Sequence, residues 1–213
     1  VDLKPTGLHY MSDLHAAGGI GAVLRELKPL LNLDCMTVAG ETLGERLERD
    51  VPWVDRNIVR PLNEPYQAVG GLVGLFGTLA PGGAILKRSA ADPTLFEKEG
   101  RAVVFRSLED LAARIDSPDL DVTPDDFMIM QNAGPKSGTG MPEAGYLPIP
   151  SKLARAGVKD MVRMSDARMS GTAYGTIVLH ITPESAVGGP LALVRNGDRI
   201  RLSVKNRRVD LLV

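Results

Sequence analysis

The segment Ser165 to Gly175 reads Ser-Asp-Ala-Arg-Met-Ser-Gly-Thr-Ala-Tyr-Gly and directly follows the apolar run Met161 to Met164. A serine at a strand end can serve as nucleophile or base if something lowers its hydroxyl pKa, but no His or Lys stands at a triad-like position and Gly-x-Ser-x-Gly is absent. A turn with a locally satisfied hydroxyl is the competing reading. A second segment, Asn132 to Glu143, follows the run Phe127 to Met130 and holds Gly134, Gly138 and Gly140, so its backbone can approach a ligand closely. It lacks the Gly-Lys-Ser/Thr order of a phosphate cradle, and a flexible connector is its bland alternative. Glu143 is a candidate hard-metal ligand or a first-turn carboxylate at a helix N-terminus, and residue type alone favours the second. His15 and His180 read as packing or interface residues, and Arg207-Arg208 as a solvated turn. Cys35, the single cysteine, reads as a small buried hydrophobe. It cannot form an internal disulfide or hold a zinc or iron–sulfur site by itself.

These segments need elements to position them. Ile20, Val23, Leu24, Leu27 and Leu31 recur at helical spacing between Gly19 and Leu31, with Arg25, Glu26 and Lys28 opposite, and predict an amphipathic helix. Thr42-Leu43-Gly44-Glu45 has the capping-box spacing and predicts a second, shorter helix. The stretch Val51 to Pro65, with Pro52, Pro61 and Pro65 and little periodicity, reads as a linker or an arm lying on another surface. Beyond about Gly83 short apolar runs alternate with short helices: Ala102 to Phe105, Phe127 to Met130, Met161 to Met164, Ile177 to Ile181 and Leu191 to Val194 read as strands. Ser107 caps a helix carrying Leu108, Leu111, Ala112 and Ile115. Arg195-Asn196-Gly197-Asp198, followed by Ile200, Leu202 and Val204 in alternation with polar residues, reads as a β-hairpin, and Val209 to Val213 as a last strand. The expected fold is α/β, with many short strands forming a closed or nearly closed barrel flanked by helices. A helical N-terminal arm and linker, residues 1–65, precedes this domain of residues 66–213.

Composition narrows the function classes. The chain has 213 residues, 44% of them apolar and 24% charged, so it should fold and bury a core. With 25 basic against 26 acidic residues the net charge is −1, which gives no general attraction to nucleic acid or to an acidic membrane. Aromatic residues, 4% of the chain, are too few for single-strand stacking platforms. Apolar stretches such as Leu72 to Ala80 are short and broken by glycine, far below the roughly 20 residues of a membrane span. Nothing at Val1 and Asp2 has the form of an export signal, and a cytoplasmic origin is expected.

Three blocks, taken in order, change the weight of the two chemical segments. Gly134-Pro135-Lys136 through Gly140-Met141-Pro142-Glu143, then Ser165 to Gly171, then Pro183-Glu184-Ser185-Ala186-Val187-Gly188-Gly189-Pro190 resemble the dihydroxy-acid dehydratase/6-phosphogluconate dehydratase family. Met11 to Gly19 and Gly77-Thr78-Leu79-Ala80-Pro81 add to the resemblance, which covers nearly the whole chain. Within the family, Leu147-Pro148-Ile149-Pro150 and Ala167 to Gly175 look like the sugar-acid branch, which acts on aldonates such as arabinonate or xylonate. Thr78 stands where the family commonly has Asn, and Ser137 and Thr139 where many members have Gly or Ala. These departures leave substrate preference open.

The resemblance implies a hydro-lyase that turns a sugar acid into a 2-keto-3-deoxy acid. It implies that this chain is the C-terminal part: the end of a first domain, then a swivelling β-barrel domain that lies over the site. The iron–sulfur cluster on three cysteines and most Mg²⁺ ligands would belong to the N-terminal domain of the parent chain, so an isolated chain of 213 residues should be catalytically silent. By the same resemblance Ser170 is the base, as an alkoxide, Thr172 stands beside it to orient substrate or relay a proton, and Glu143 completes the Mg²⁺ shell. Its partners are then a small-molecule sugar acid, the cluster-bearing domain and a second copy of the chain, since the family forms homo-oligomers. Two other readings remain: a dihydroxy-acid dehydratase of branched-chain amino-acid synthesis, and a cluster-free binding module.

Overall fold

The computed structural model describes residues 1–5, 7–49, 53–143, 147–170 and 174–213, in two compact units, Val1–Val69 and Gly70–Val213. The first unit carries three short helices, α1 (Met11–Ala16), α2 (Gly19–Glu26) and α3 (Leu43–Glu48). The predicted helix from Gly19 to Leu31 stops at Glu26, and Lys28–Leu30 tightens into a 3₁₀ turn. Pro29 has no N–H to continue the α ladder, which accounts for the break. The capping box forms as spaced: the Thr42 hydroxyl accepts from Glu45 N–H at 3.1 Å, and the Glu45 carboxylate accepts from Thr42 N–H at 2.7 Å. The proline-containing stretch after α3 contributes Ile58 and Val59 to a small core with Leu14 and Ala17. Cys35, expected to be buried, is exposed. No described helix is long and apolar enough to cross a membrane.

The second unit is an eight-stranded mixed sheet nearly closed into a barrel. Its strands are β1 (Leu72–Leu75), β2 (Gly83–Lys87), β3 (Glu97–Phe105), β4 (Phe127–Met130), β5 (Arg163–Ser165), β6 (Ile177–Thr182), β7 (Arg199–Ser203) and β8 (Arg208–Leu212), in the spatial order β1-β2-β6-β5-β4-β3-β7-β8. The four central strands β3, β4, β5 and β6 run parallel, and the outer pairs run antiparallel. The residues after β1 fold back onto β8. Phe76 N–H donates to Arg207 C=O and Val209 N–H to Phe76 C=O, both at 2.9 Å, while Thr78 N–H donates to the Asp210 carboxylate at 2.9 Å. Gly77 (φ +155°) makes this approach possible, because a Cβ there would sit 2.1 Å from Val209 O.

Strand alternation divides the apolar residues between two cores. Phe127 and Ile129 of β4 point into the barrel with Leu75, Leu86, Met164 and Val178. Met128 and Met130 point outward, under α4 (Leu108–Arg114) and α5 (Ser151–Arg155), where Leu111 and Leu153 meet them. A strand buried on both faces must be apolar throughout, so Phe127–Met130 reads as an unbroken run. Two expectations are corrected. Leu191–Val194 is not a strand: Pro190 starts a 3₁₀ turn through Leu193, and the Gln131 side-chain amide donates to Leu191 C=O and Val194 C=O at 2.7 and 3.0 Å. The Arg195–Asp198 turn is not a hairpin tip either. It docks on β3, with Val104 N–H donating to Asn196 Oδ1 at 2.6 Å, and the hairpin is the one that joins β7 to β8.

Candidate functional site

In sheets of parallel strands the C-terminal ends form a crevice, since each strand there turns into a loop on the same side. Here β4 runs into the glycine-bearing loop up to Glu143, β5 into Asp166–Ser170, and β6 into Pro183–Gly189. A buried carboxylate ties the three together. Asp166, 1% exposed, accepts Ala133 N–H on one oxygen at 2.9 Å and Ser185 N–H on the other at 2.8 Å. Glu184, also buried, accepts Lys136 N–H on both oxygens at 2.9 Å. Gly134 has to be glycine beside it, because a Cβ would fall 2.0 Å from Glu184 Oε2. Asn132 (φ 56°) and Met141 (φ 59°) hold left-handed backbone at the two ends of this loop, the kind of strain that marks ligand-facing segments.

The two predicted site segments meet. Glu143 and Arg168 form a parallel β-bridge, the Arg168 guanidinium donates to the Glu143 carboxylate at 2.9 Å, and its Nε donates to Met141 C=O at 3.2 Å. Both side chains are about half exposed, at 47% and 49%, so the pair is open to exchange with another ligand of the carboxylate. Among the described residues Glu143 stands in this bridge and in no helix. Ser170 follows two residues after Arg168 and is half-buried. Thr172 lies outside the described residues. Arg163 on β5 secures the far flanks of both segments. Its buried guanidinium pairs with Asp160 at 3.0 Å and donates to Leu147 C=O at 3.0 Å and Tyr174 C=O at 3.4 Å. Burial pushes its pKa down, and the Asp160 carboxylate opposes that shift.

His180, expected from the sequence to be a packing or interface residue, also belongs to this end of the barrel and does not pack in the core. It is exposed, and with Lys136, Met141, Asp166 and Glu184 it lines a hollow of about 310 Å³. Sequence reasoning singled out neither Asp166 nor Glu184 nor Arg163 as site residues. Their partners are mostly main-chain groups, which leave no side-chain pattern to find.

A resident metal or cluster finds no complete donor set here. Among the described residues no three His, Cys, Asp or Glu side chains come together, and the Glu143 carboxylate is occupied by Arg168. Cys35 is a lone thiol of the first unit, whereas a cluster needs several thiolates. The donors present therefore do not make up either group.

The family described as dihydroxy-acid/6-phosphogluconate dehydratase C-terminal matches residues 57–213, and its N-terminal counterpart matches residues 1–46. L-arabonate dehydratase of Azospirillum brasilense is 51% identical over 205 residues, 95% of this chain and 35% of that protein. A 6-deoxy-6-sulfo-D-gluconate dehydratase of Pseudomonas putida is 48% identical over 216 residues, 100% of this chain and 37% of its own. Dihydroxy-acid dehydratase of Carboxydothermus hydrogenoformans is 43% identical over 214 residues, 99% of this chain and 38% of its own. The chain therefore spans little more than a third of the length of the relatives it matches. The C-terminal match covers the whole barrel with all three site segments, and on that ground the chain belongs to the dihydroxy-acid/6-phosphogluconate dehydratase family of hydro-lyases.

Proposed function

We propose that the chain is the C-terminal part of a dehydratase that converts a sugar acid of the aldonate class into a 2-keto-3-deoxy acid. The observation that carries this reading is the Glu143–Arg168 bridge, which sets the glycine-bearing loop beside the Ser170 segment at one end of the barrel. In the elimination the C2–H bond breaks and its proton goes to the base. The electron pair forms the C2=C3 double bond, hydroxide leaves C3 and departs as water with the proton the base has taken up, and the enol gives up its O–H proton and gains one at C3 to become the ketone. Ser170 is assigned the C2 proton. An ordinary serine hydroxyl is far too weak an acid to be an alkoxide at neutral pH, so it needs nearby positive charge and N–H donors that persist only in an assembled, water-poor site. Thr172 is assigned to orient substrate or relay the proton.

The iron–sulfur cluster and most of the Mg²⁺ ligands are assigned to residues outside this chain, and the two groups would supply Lewis-acid assistance. Glu143 would give the ion one hard carboxylate oxygen once Arg168 releases it. The cluster-bearing domain of the parent, a second copy of the chain and a cytoplasmic setting belong to the same proposal. The chain by itself is expected to turn nothing over.

The test uses the parent-length protein. Wild type should convert L-arabinonate to a 2-keto acid faster than it converts a branched 2,3-dihydroxy acid. Ser170→Ala should abolish turnover with iron content unchanged, and activity retained in that variant removes Ser170 from the mechanism. Preference for the branched acid would transfer the chain to the biosynthetic reading, which relatives named dihydroxy-acid dehydratase support at 43% identity.

A further inference from the structure

Strand β6 carries an irregularity whose effect falls on one side chain. Its Val178 points into the barrel with Ile129 and Met164, and Ile177 and Leu179 point to the outer core. Strict alternation would therefore turn His180 inward and Ile181 outward. The reverse is found: Ile181 is buried in the barrel core at 1% exposure, and His180 is exposed. The pairing explains the switch. Ile85 of β2 faces Leu179, but Gly83 faces Thr182, so β6 spends one residue more than β2 over this interval. His180 absorbs it by adopting φ 54°, a left-handed conformation disfavoured for any residue with a Cβ. Its N–H donates to Ala167 C=O at 3.1 Å, and its C=O accepts from the Thr182 hydroxyl at 2.9 Å, so the bulge is held from both sides.

The result is an imidazole turned into the hollow that Lys136 also lines, against walls that include Met141 and Ile181. The two carboxylates that border it, Asp166 and Glu184, already accept main-chain N–H groups. Among the described residues, the His180 ring and the Lys136 ammonium make no hydrogen bond or ion pair. They are the donors left over, facing a space that borders Met141, two residues from Glu143.

We propose that His180 and Lys136 form a specificity subsite that hydrogen-bonds the oxygen-bearing chain of the sugar acid, and that the β6 bulge exists to hold the imidazole there. This rests on the aldonate reading above. An isolated strained residue in a sheet is kept when it aims a side chain at a ligand, and relief of the strain by glycine separates the two roles.

The experiment uses the parent-length protein, with four-, five- and six-carbon aldonates as substrates. His180→Gly removes the imidazole while suiting the left-handed backbone, so the unfolding midpoint should stay level or rise by up to about 4 °C. KM for the five- and six-carbon acids should rise at least tenfold, with kcat changed less than threefold. The four-carbon acid, which lacks the outer hydroxyls, should respond far less. His180→Asn, which tolerates the same backbone and keeps an amide donor, should recover part of the loss, and Lys136→Met should show the same chain-length pattern. Unchanged KM in His180→Gly with the fold intact, or an equal rise for all three acids, overturns the subsite. Absence of aldonate turnover in the wild type overturns the functional reading instead, so the two failures are distinct.

Discussion

Asp166 offers the most direct test of how the site is held together, because its carboxylate serves two main-chain donors from two different loops while almost fully buried. Asp166→Asn keeps the volume and shape but supplies only one acceptor oxygen. The amide can satisfy either Ala133 N–H or Ser185 N–H, and its NH₂ must then face the other donor. Hydrogen bonds to a charged group contribute about 1.5–3 kcal/mol each, and a buried donor left unmade costs about 1–3 kcal/mol. The surviving bond also weakens once its acceptor is neutral. Together these give a loss of about 3–4 kcal/mol, a large part of the stability of an ordinary domain. Guanidinium unfolding of the purified chain, followed by far-UV circular dichroism, reads this as a lower midpoint at unchanged slope. In the parent-length enzyme the same substitution should lower kcat by at least about 100-fold, since displacements of about 1 Å are enough for that. A stability loss below about 1 kcal/mol would refute the argument, because it would mean that the loops hold their places without this carboxylate.

Two further outcomes concern the barrel seam. Gly77→Ala forces a methyl group to within 2.1 Å of Val209 O at a φ of +155°, and should cost at least about 3 kcal/mol in denaturant unfolding; a loss under about 1 kcal/mol would show that the corner can give way. Asp210 carries an acid-sensitive share of the same seam. Its pKa is held below the usual carboxylate range by the Arg208 hydrogen bond, which together with the Thr78 N–H outweighs burial. A depressed folded pKa contributes stability that is complete above the unfolded value of about 3.9 and is lost as pH falls through the lower folded value. Asp210→Asn should therefore flatten the stability profile below about pH 4 and leave its slope above pH 5 unchanged. An identical acid limb in the variant would remove Asp210 as its source.

How much of this was legible in the sequence depended on whether the deciding contact involved local side chains. Thr42 with Glu45, and Ser107 before α4, announce their helices because the cap and its target lie within one turn. Strand β4 is readable because both faces are buried. Strands β1 and β2 are less so: Leu72 is 65% exposed and Gly74 breaks the first, and Ile85 of the second is 39% exposed, so neither shows a clean apolar run. Asn196-Gly197 has the composition of a hairpin turn, yet its partner is β3, far away in sequence, which no short-range signal encodes. At the site, the loop before Glu143 and the Ser170 segment could be recognised from their residues, whereas Asp166 and Glu184 act on backbone N–H groups of other loops. The bulge that turns His180 outward is a matter of register between β2 and β6. A histidine in an apolar strand gives no hint of it.

The strand order carries a consequence for how the molecule is made. β2 does not pair with β3, the next strand to be synthesised; its lasting neighbour is β6, and the seam joins Thr78 to Leu211, 133 residues later. On a chain emerging from the ribosome, the β1–β2 pair must wait with an open edge while the parallel strands assemble beyond it. Contacts of such sequence separation form slowly, and an unpaired edge is a template for association with other chains. The half-made protein is therefore its most vulnerable state. Yield of soluble material should depend on the speed of translation and on chaperone supply as well as on the stability of the finished barrel.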